Sequence, residues 1–134
     1  MAKYFTIAEL VHSDTADRRA INNRLPRELA PHAQQLIDRV LDPLREAYGR
    51  PIRVTSGYRC PELNRVVGGS PTSDHMQARA ADIVGTPNTR EENRRLFELA
   101  KSLDFDQLID ERNLSWVHIS YRSAEENRHQ ILRL

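Results

Sequence analysis

Ser73-Asp74-His75-Met76-Gln77-Ala78-Arg79-Ala80-Ala81-Asp82 is the stretch on which the reading of the fold turns. Its first half is rich in turn formers, and its second half enters a short strand expected over Ala80-Ala81-Asp82-Ile83-Val84. The turn delivers an imidazole, His75, and the strand a carboxylate, Asp82. Immediately upstream the turn points Ser56-Gly57, Gly68-Gly69 and Ser70 leave room for one short helical stretch near Pro61 to Val67. A segment so punctuated is mostly loop, and loops held by a scaffold are where sites concentrate.

Further upstream, Ile52-Arg53-Val54-Thr55 alternates like a strand. Before it, Leu29, Ala33, Leu36, Ile37, Val40, Leu41 and Leu44 recur at helical spacing and predict an amphipathic helix from about Arg27 to Tyr48, ended by Gly49. Pro43 removes a backbone donor inside it, so a kink or an altered last turn is expected. Thr6-Ile7-Ala8-Glu9 reads as a capping box that starts a short helix, interrupted at Ser13-Asp14-Thr15. Downstream, Thr89 to Glu92 is a second capping box, opening a helix with the stripe Leu96, Leu99, Ala100 and Leu103. Phe105 to Glu111 and Trp116 to Tyr121 read as two strands joined through Arg112-Asn113-Leu114-Ser115. With Asn113-Leu114 as the turn, Glu111 pairs with Trp116, Ile109 with His118 and Gln107 with Ser120. Glu111 and His118 then share a face, while Asp110 points to the other. The tail, Asn127 to Leu134, is a strand or a helical turn. The expected architecture is a small α+β fold, one domain over residues 1–134. Its antiparallel sheet has about four strands, near Ile52, Ile83, Leu108 and Val117, with helices on one side.

Composition narrows the classes. The 134 residues, 39% hydrophobic and 29% charged, match one ordinary globular core. A single cysteine, Cys60, excludes a disulfide-rich scaffold and a four-cysteine zinc module. Lys and Arg total 20 against 19 Asp and Glu, a net charge of +1 without a block of either sign, so nucleic acid is not expected as a partner. Apolar runs are far shorter than the roughly 20 residues of a membrane helix, so no membrane insertion is expected. The opening Met-Ala-Lys-Tyr-Phe-Thr-Ile-Ala-Glu-Leu lacks the apolar stretch of a secretory signal, and synthesis in the cytoplasm is expected.

Five histidines are present. His12, His32 and His129 read as solvated or partly packed side chains. His75 stands in the turn-rich approach, and His118 lies within the apolar strand Trp116-Val117-His118-Ile119-Ser120, where an imidazole needs a partner. Two imidazoles and the Asp82 carboxylate are a ligand set that suits a catalytic zinc, with the fourth tetrahedral position left to water.

Ser73-x-His75-x-x-Ala78-x-Ala80-x-Asp82 resembles the Ser-x-His-x-x-Gly-x-Ala-x-Asp signature of the zinc peptidases that cut peptidoglycan stem peptides. These include D-alanyl-D-alanine carboxypeptidases and dipeptidases and the L-alanyl-D-glutamate endopeptidases of phage lysins. Val54-Thr55-Ser56-Gly57-Tyr58-Arg59 with Asn64 resembles the family's Ser-Gly-Tyr-Arg segment, and Trp116-x-His118 its last metal-ligand strand. The segments keep the family's order over Ile52 to Tyr121.

The resemblance implies a D-Ala-D-Ala carboxypeptidase or Hedgehog-type zinc fold with His75, Asp82 and His118 as Zn2+ ligands. It implies hydrolysis of a stem-peptide amide by a zinc-activated water, with Arg59 binding substrate and steadying the oxyanion and Tyr58 lining the groove. Better-studied branches place a glutamate three residues before the last histidine, where this chain has Ser115. Glu111 takes its place as candidate base, the bland alternative being an exposed hairpin carboxylate. Ala78 replaces a family glycine, which would be strained if that position needs a positive φ. Cys60 is expected to be a packed thiol. The partners implied are peptidoglycan stem peptides, met by a monomer acting on the wall after release through a separate pore or as part of a phage particle. The alternative is a non-catalytic, zinc-stabilised wall-binding or phage structural module of the same fold.

Overall fold

The computed structural model describes residues 3–134. Capping chemistry sets the first helices. The Thr6 hydroxyl and the Glu9 carboxylate exchange hydrogen bonds with each other's backbone N–H at the start of α1, Ile7–Val11. Ser13 ends nothing by itself; its Oγ accepts from the Ala16 N–H and opens a second helix, α2, Asp14–Arg18.

The long amphipathic helix is built in four pieces. A 3-10 turn, Arg27–Leu29, leads into α3, Ala30–Leu36, then a π-helical segment, Ile37–Leu41, then α4, Asp42–Tyr48. The wide turn is the local answer to Pro43: the Asp42 N–H reaches back five residues to the Ile37 carbonyl, and the proline enters at the start of the next α segment, where its missing donor costs little. Gly49 closes α4 with φ +78°, as a left-handed cap requires.

The sheet follows: β1 Arg53–Ser56, β2 Ala80–Val84, β3 Gln107–Glu111, β4 Trp116–Ser120 and β5 Gln130–Arg133, with α5, Pro61–Val66, and a 3-10 turn, Asp74–Gln77, between β1 and β2. The strand order is β1-β2-β4-β3-β5. All neighbours are antiparallel except β3 and β5, so the sheet has five strands and is mixed, where about four antiparallel strands were expected. The reason lies in the tail. After β4 the chain crosses the start of β3, and the His129 and Gln130 N–H groups bond the carbonyls of Phe105 and Asp106. It then runs beside β3 in the same direction. A four-residue strand that is mostly exposed carries no hydrophobic pattern from which to read it.

Pairing of Asp82 with His118, of Ile109 with His118 and of Glu111 with Trp116 puts all five side chains on one face. Ala81, Ile83, Leu108, Val117 and Ile119 take the other face, all fully buried. They form one core with Leu36, Ile37, Val40, Leu41 and Leu44 of the long helix and with Leu96, Phe97 and Ala100 of α6, Arg90–Ala100. Thr89 caps α6 through its hydroxyl, but the Glu92 carboxylate does not return to close the expected box; it binds the Tyr48 hydroxyl and Arg95 instead. Among the described residues no helix is long and apolar enough to cross a membrane.

Candidate metal and active site

The site grows from the open face of the sheet. His118 in β4 stands opposite Asp82 in β2, and its Nδ1 lies 3.0 Å from Asp82 Oδ1. His75 arrives from the 3-10 turn, whose start is capped by the Ser73 hydroxyl accepting from the His75 N–H. Its Nε2 lies 3.3 Å from the same Asp82 oxygen. The two rings meet edge to face, with centroids 5.2 Å apart. Donor atoms of the trio all lie within 4.8 Å of one another.

Hydrogen bonding tells which nitrogens are free. His75 Nδ1 is 2.7 Å from the Gly57 carbonyl, an acceptor, so this nitrogen carries a proton and the neutral ring presents the Nε2 lone pair to Asp82. Two acceptors facing each other at that separation need a cation between them, a proton or a metal ion. Ligand atoms about 2.0–2.1 Å from a tetrahedral zinc stand about 3.3 Å apart, which is close to both observed separations. The donor set, its spacing and its burial therefore fit Zn2+. A second trio, His12, Asp14 and Asp17, lies exposed on the surface. Burial by itself would raise the Asp82 pKa, but where a proton is the cation between the carboxylate and the imidazoles the two rings become charged donors, and the hydrogen bonds and charge of His118 and His75 then outweigh burial and hold the carboxyl well below the usual range.

Arg59 is positioned from several directions. A bulge at Thr55 shifts the β1 register, so that Ser56 stands opposite Asp82, and the Ser56 hydroxyl accepts from Arg59 Nε at 3.0 Å. Its Nη2 reaches Asp82 Oδ2 at 3.4 Å, and Nη1 reaches Asn64 Oδ1 at the same distance. The backbone beneath is pinned, with the Tyr58 N–H bonded to the Leu10 carbonyl and the Arg59 N–H to that of His75. Asn23 completes the clamp: its Nδ2 donates to the carbonyls of Val11 and Tyr58, and its Oδ1 accepts from the Cys60 N–H at 2.7 Å. Gly57 permits the close approach, since a Cβ there would lie 2.2 Å from the Leu10 carbonyl oxygen. Burial lowers the Arg59 pKa, with Asp82 and Glu111 acting against it.

Glu111 lies on the same face, half-buried, beside Trp116. Burial raises its carboxyl pKa, opposed first by His118, and Asp82 adds to the rise. The hairpin that presents it is left-handed throughout: Arg112, Asn113 and Leu114 have φ of +47°, +56° and +61°. Asp110, on the opposite face, holds this turn through the Leu114 N–H at 2.7 Å. Ser115 is spent on the same turn, its hydroxyl donating to the Arg112 carbonyl.

Tyr58, expected to line the groove, is 4% exposed and packs with the core, on the same clamped segment that aims Arg59 at Asp82. Cys60 caps α5 through its sulfur rather than approaching the trio. Ala78 has φ +57° and ψ +32°, so the position does use the left-handed region. Sequence reading missed Asn23, whose polar side chain in an irregular stretch is an ordinary loop residue until its three partners fold around it. Concavities flank the trio across the sheet, one of about 630 Å³ on the β1 side reaching Ser56 and Arg59, and one of about 370 Å³ beside His118.

An open-faced α+β sheet carrying two imidazoles and a carboxylate around one point has the ligand set of a metal-dependent hydrolase. The chain matches the family described as Peptidase M15 over residues 3–120 and belongs to it, a family of zinc peptidases acting on peptidoglycan. No curated protein matches the chain.

Proposed function

We propose that this protein hydrolyses an amide bond in the peptide stems of bacterial peptidoglycan, using zinc held by His75, Asp82 and His118. The observation that carries the proposal is the convergence of His75 Nε2 and His118 Nδ1 on one Asp82 oxygen, with the His75 tautomer set by Gly57. When bound, zinc supplies a water of lowered pKa and a Lewis acid for the scissile carbonyl. Glu111, on the same face and with a raised pKa, accepts the proton of the attacking water. Arg59, held by Ser56 and Asn64, keeps a charged fork of donors beside the site to meet the developing oxyanion. The protein acts on the wall after release through a separate pore or within a phage particle.

Metal content by mass spectrometry, paired with release of amino groups from purified peptidoglycan with and without a chelator, tests this reading. One equivalent of zinc with chelator-sensitive release is expected, and the fragment released identifies the bond. Glu111→Gln should keep the metal and the fold while turnover falls by roughly 10²–10⁴-fold. Full activity in that variant removes Glu111 from the role, and zinc without release favours a binding module.

A further inference from the structure

Beside His118, on the β3 side of the trio, lies the cavity of about 370 Å³, lined among others by Ser73, Asp74, Gln107, Arg122 and Arg128. Its charges are sorted by depth. Asp106 beneath it is fully buried, and Arg128 grips it with its backbone N–H, Nε and Nη2 at 3.0, 2.9 and 2.8 Å. Arg122 Nε lies 3.1 Å from the same carboxylate, and its Nη2 reaches Asp74 at a longer 3.4 Å. The carboxylates are the hidden members, with side-chain exposures of 0% for Asp106 and 13% for Asp74, whereas Arg122 is 37% and Arg128 49% exposed. The solvent side of the cavity is therefore cationic although the four charges cancel. The Nη1 group of Arg122 has no protein partner among the described residues, and the bond from the Arg122 N–H to Asn127 Oδ1 at 2.8 Å fixes the backbone that carries it.

A guanidinium held from behind by buried carboxylates, with donors left free toward a cleft, has its orientation set before a ligand arrives. That is what recognition of a planar anion requires. We infer that Arg122, with Arg128 beside it, forms a subsite for a carboxylate of the stem peptide, the free α-carboxylate of its D-glutamate. Arg59 occupies the β1 side of the trio and Arg122 the β3 side, so a bound peptide meets an arginine on each flank. The inference rests on the peptidase reading for the identity of the ligand, and on the cavity alone for its chemistry.

The test uses two stem pentapeptides, each containing both the L-Ala-D-Glu and the D-Ala-D-Ala bond, that differ only in whether the α-carboxylate of the D-glutamate is free or amidated. Their affinities for the zinc-loaded protein are measured by NMR titration in the Glu111→Gln background, and turnover is followed in the native chain. Losing a charge-assisted, forked contact should weaken binding of the amidated peptide about tenfold, and Arg122→Gln should reduce that preference to less than about twofold. In turnover the same variant should raise KM and leave kcat nearly unchanged. Arg122→Lys keeps a charge opposite Asp106 but loses the fork, so it should recover only part of the preference, with thermal midpoints reported for each variant. Absence of a preference in the parent, or its persistence in Arg122→Gln, overturns the subsite. A preference that collapses in Arg122→Gln while the native chain cleaves neither peptide leaves the subsite standing and refutes the peptidase reading.

Discussion

Ala78 shows how two small energies at one residue are weighed. A left-handed backbone costs a side chain with a Cβ about 1–2 kcal/mol, and Ala78 adopts it at φ +57° in the turn that carries His75. Its methyl group is also buried in the core, 2% exposed, where one such group contributes about 0.8 kcal/mol. Ala78→Gly relieves the first and forfeits the second. The variant should therefore unfold within about 1 kcal/mol of the parent, measured by urea denaturation, and should bind zinc equally well because none of the bonds that hold His75, from Ser73, Gly57, Arg59 and the Ala78 N–H, uses the Ala78 methyl group. A large loss of metal on this substitution would mean that the methyl group itself positions the turn. Another residue-scale expectation concerns His118: replacing it by alanine removes a ligand atom and leaves Asp82 buried with fewer partners, lowering both zinc occupancy and the thermal midpoint.

Among the elements, the loop between β1 and α5 depends on a side chain outside it. Asn23 is 8% exposed and serves three backbone groups, on Val11, Tyr58 and Cys60. Asn23→Ala leaves these groups to find water or remain unpaired, a cost of about 1–3 kcal/mol for each buried group that fails. Because Arg59 rides on this loop and the proposed metal ligands come from β2, β4 and the 3-10 turn, the variant should bind zinc like the parent yet lose activity, and added zinc should not restore it. Unchanged turnover would show that Arg59 is held by Ser56 and Asn64 alone. The same elements show what was legible beforehand. The β3–β4 hairpin could be read because Glu111, Ile109 and His118 alternate against buried Leu108, Val117 and Ile119, so a one-residue slip would invert the faces. The His75, Asp82 and Ser56-Gly57-Tyr58-Arg59 motifs could be read because they are local. The clamp by Asn23, the inward turn of Tyr58 and the capture of Glu92 by Tyr48 could not, since each joins residues more than thirty positions apart or is decided by packing that no short window contains.

For the whole molecule, the tail strand closes the sheet through charge as much as through pairing. β5 is short and largely exposed, so little apolar burial holds it, whereas Arg128 just before it is tied to the fully buried Asp106. Burial alone would push the Asp106 pKa up, but the hydrogen bonds and charge of Arg128, joined by Arg122, outweigh it and leave the carboxyl below its ordinary value. A carboxyl whose folded pKa lies below the unfolded one, about 3.9, binds fewer protons in the native state, so its contribution is complete at neutral pH and fades as the pH falls through the folded value. Asp106→Asn should therefore destabilise the protein at pH 7, and the gap between variant and parent should narrow below about pH 4 as the parent loses its advantage. Urea midpoints for both proteins at pH 7, 5 and 3, with slow amide exchange across Gln130–Arg133 as a local probe, would check the claim. A gap that stayed constant across this range would assign the anchoring of the tail to the geometry of the hydrogen bonds and not to the charge on Asp106. In that case Arg122 and Arg128 would owe their outward pose to packing, and the cationic rim of the cavity should survive acid conditions that protonate the carboxyl beneath it.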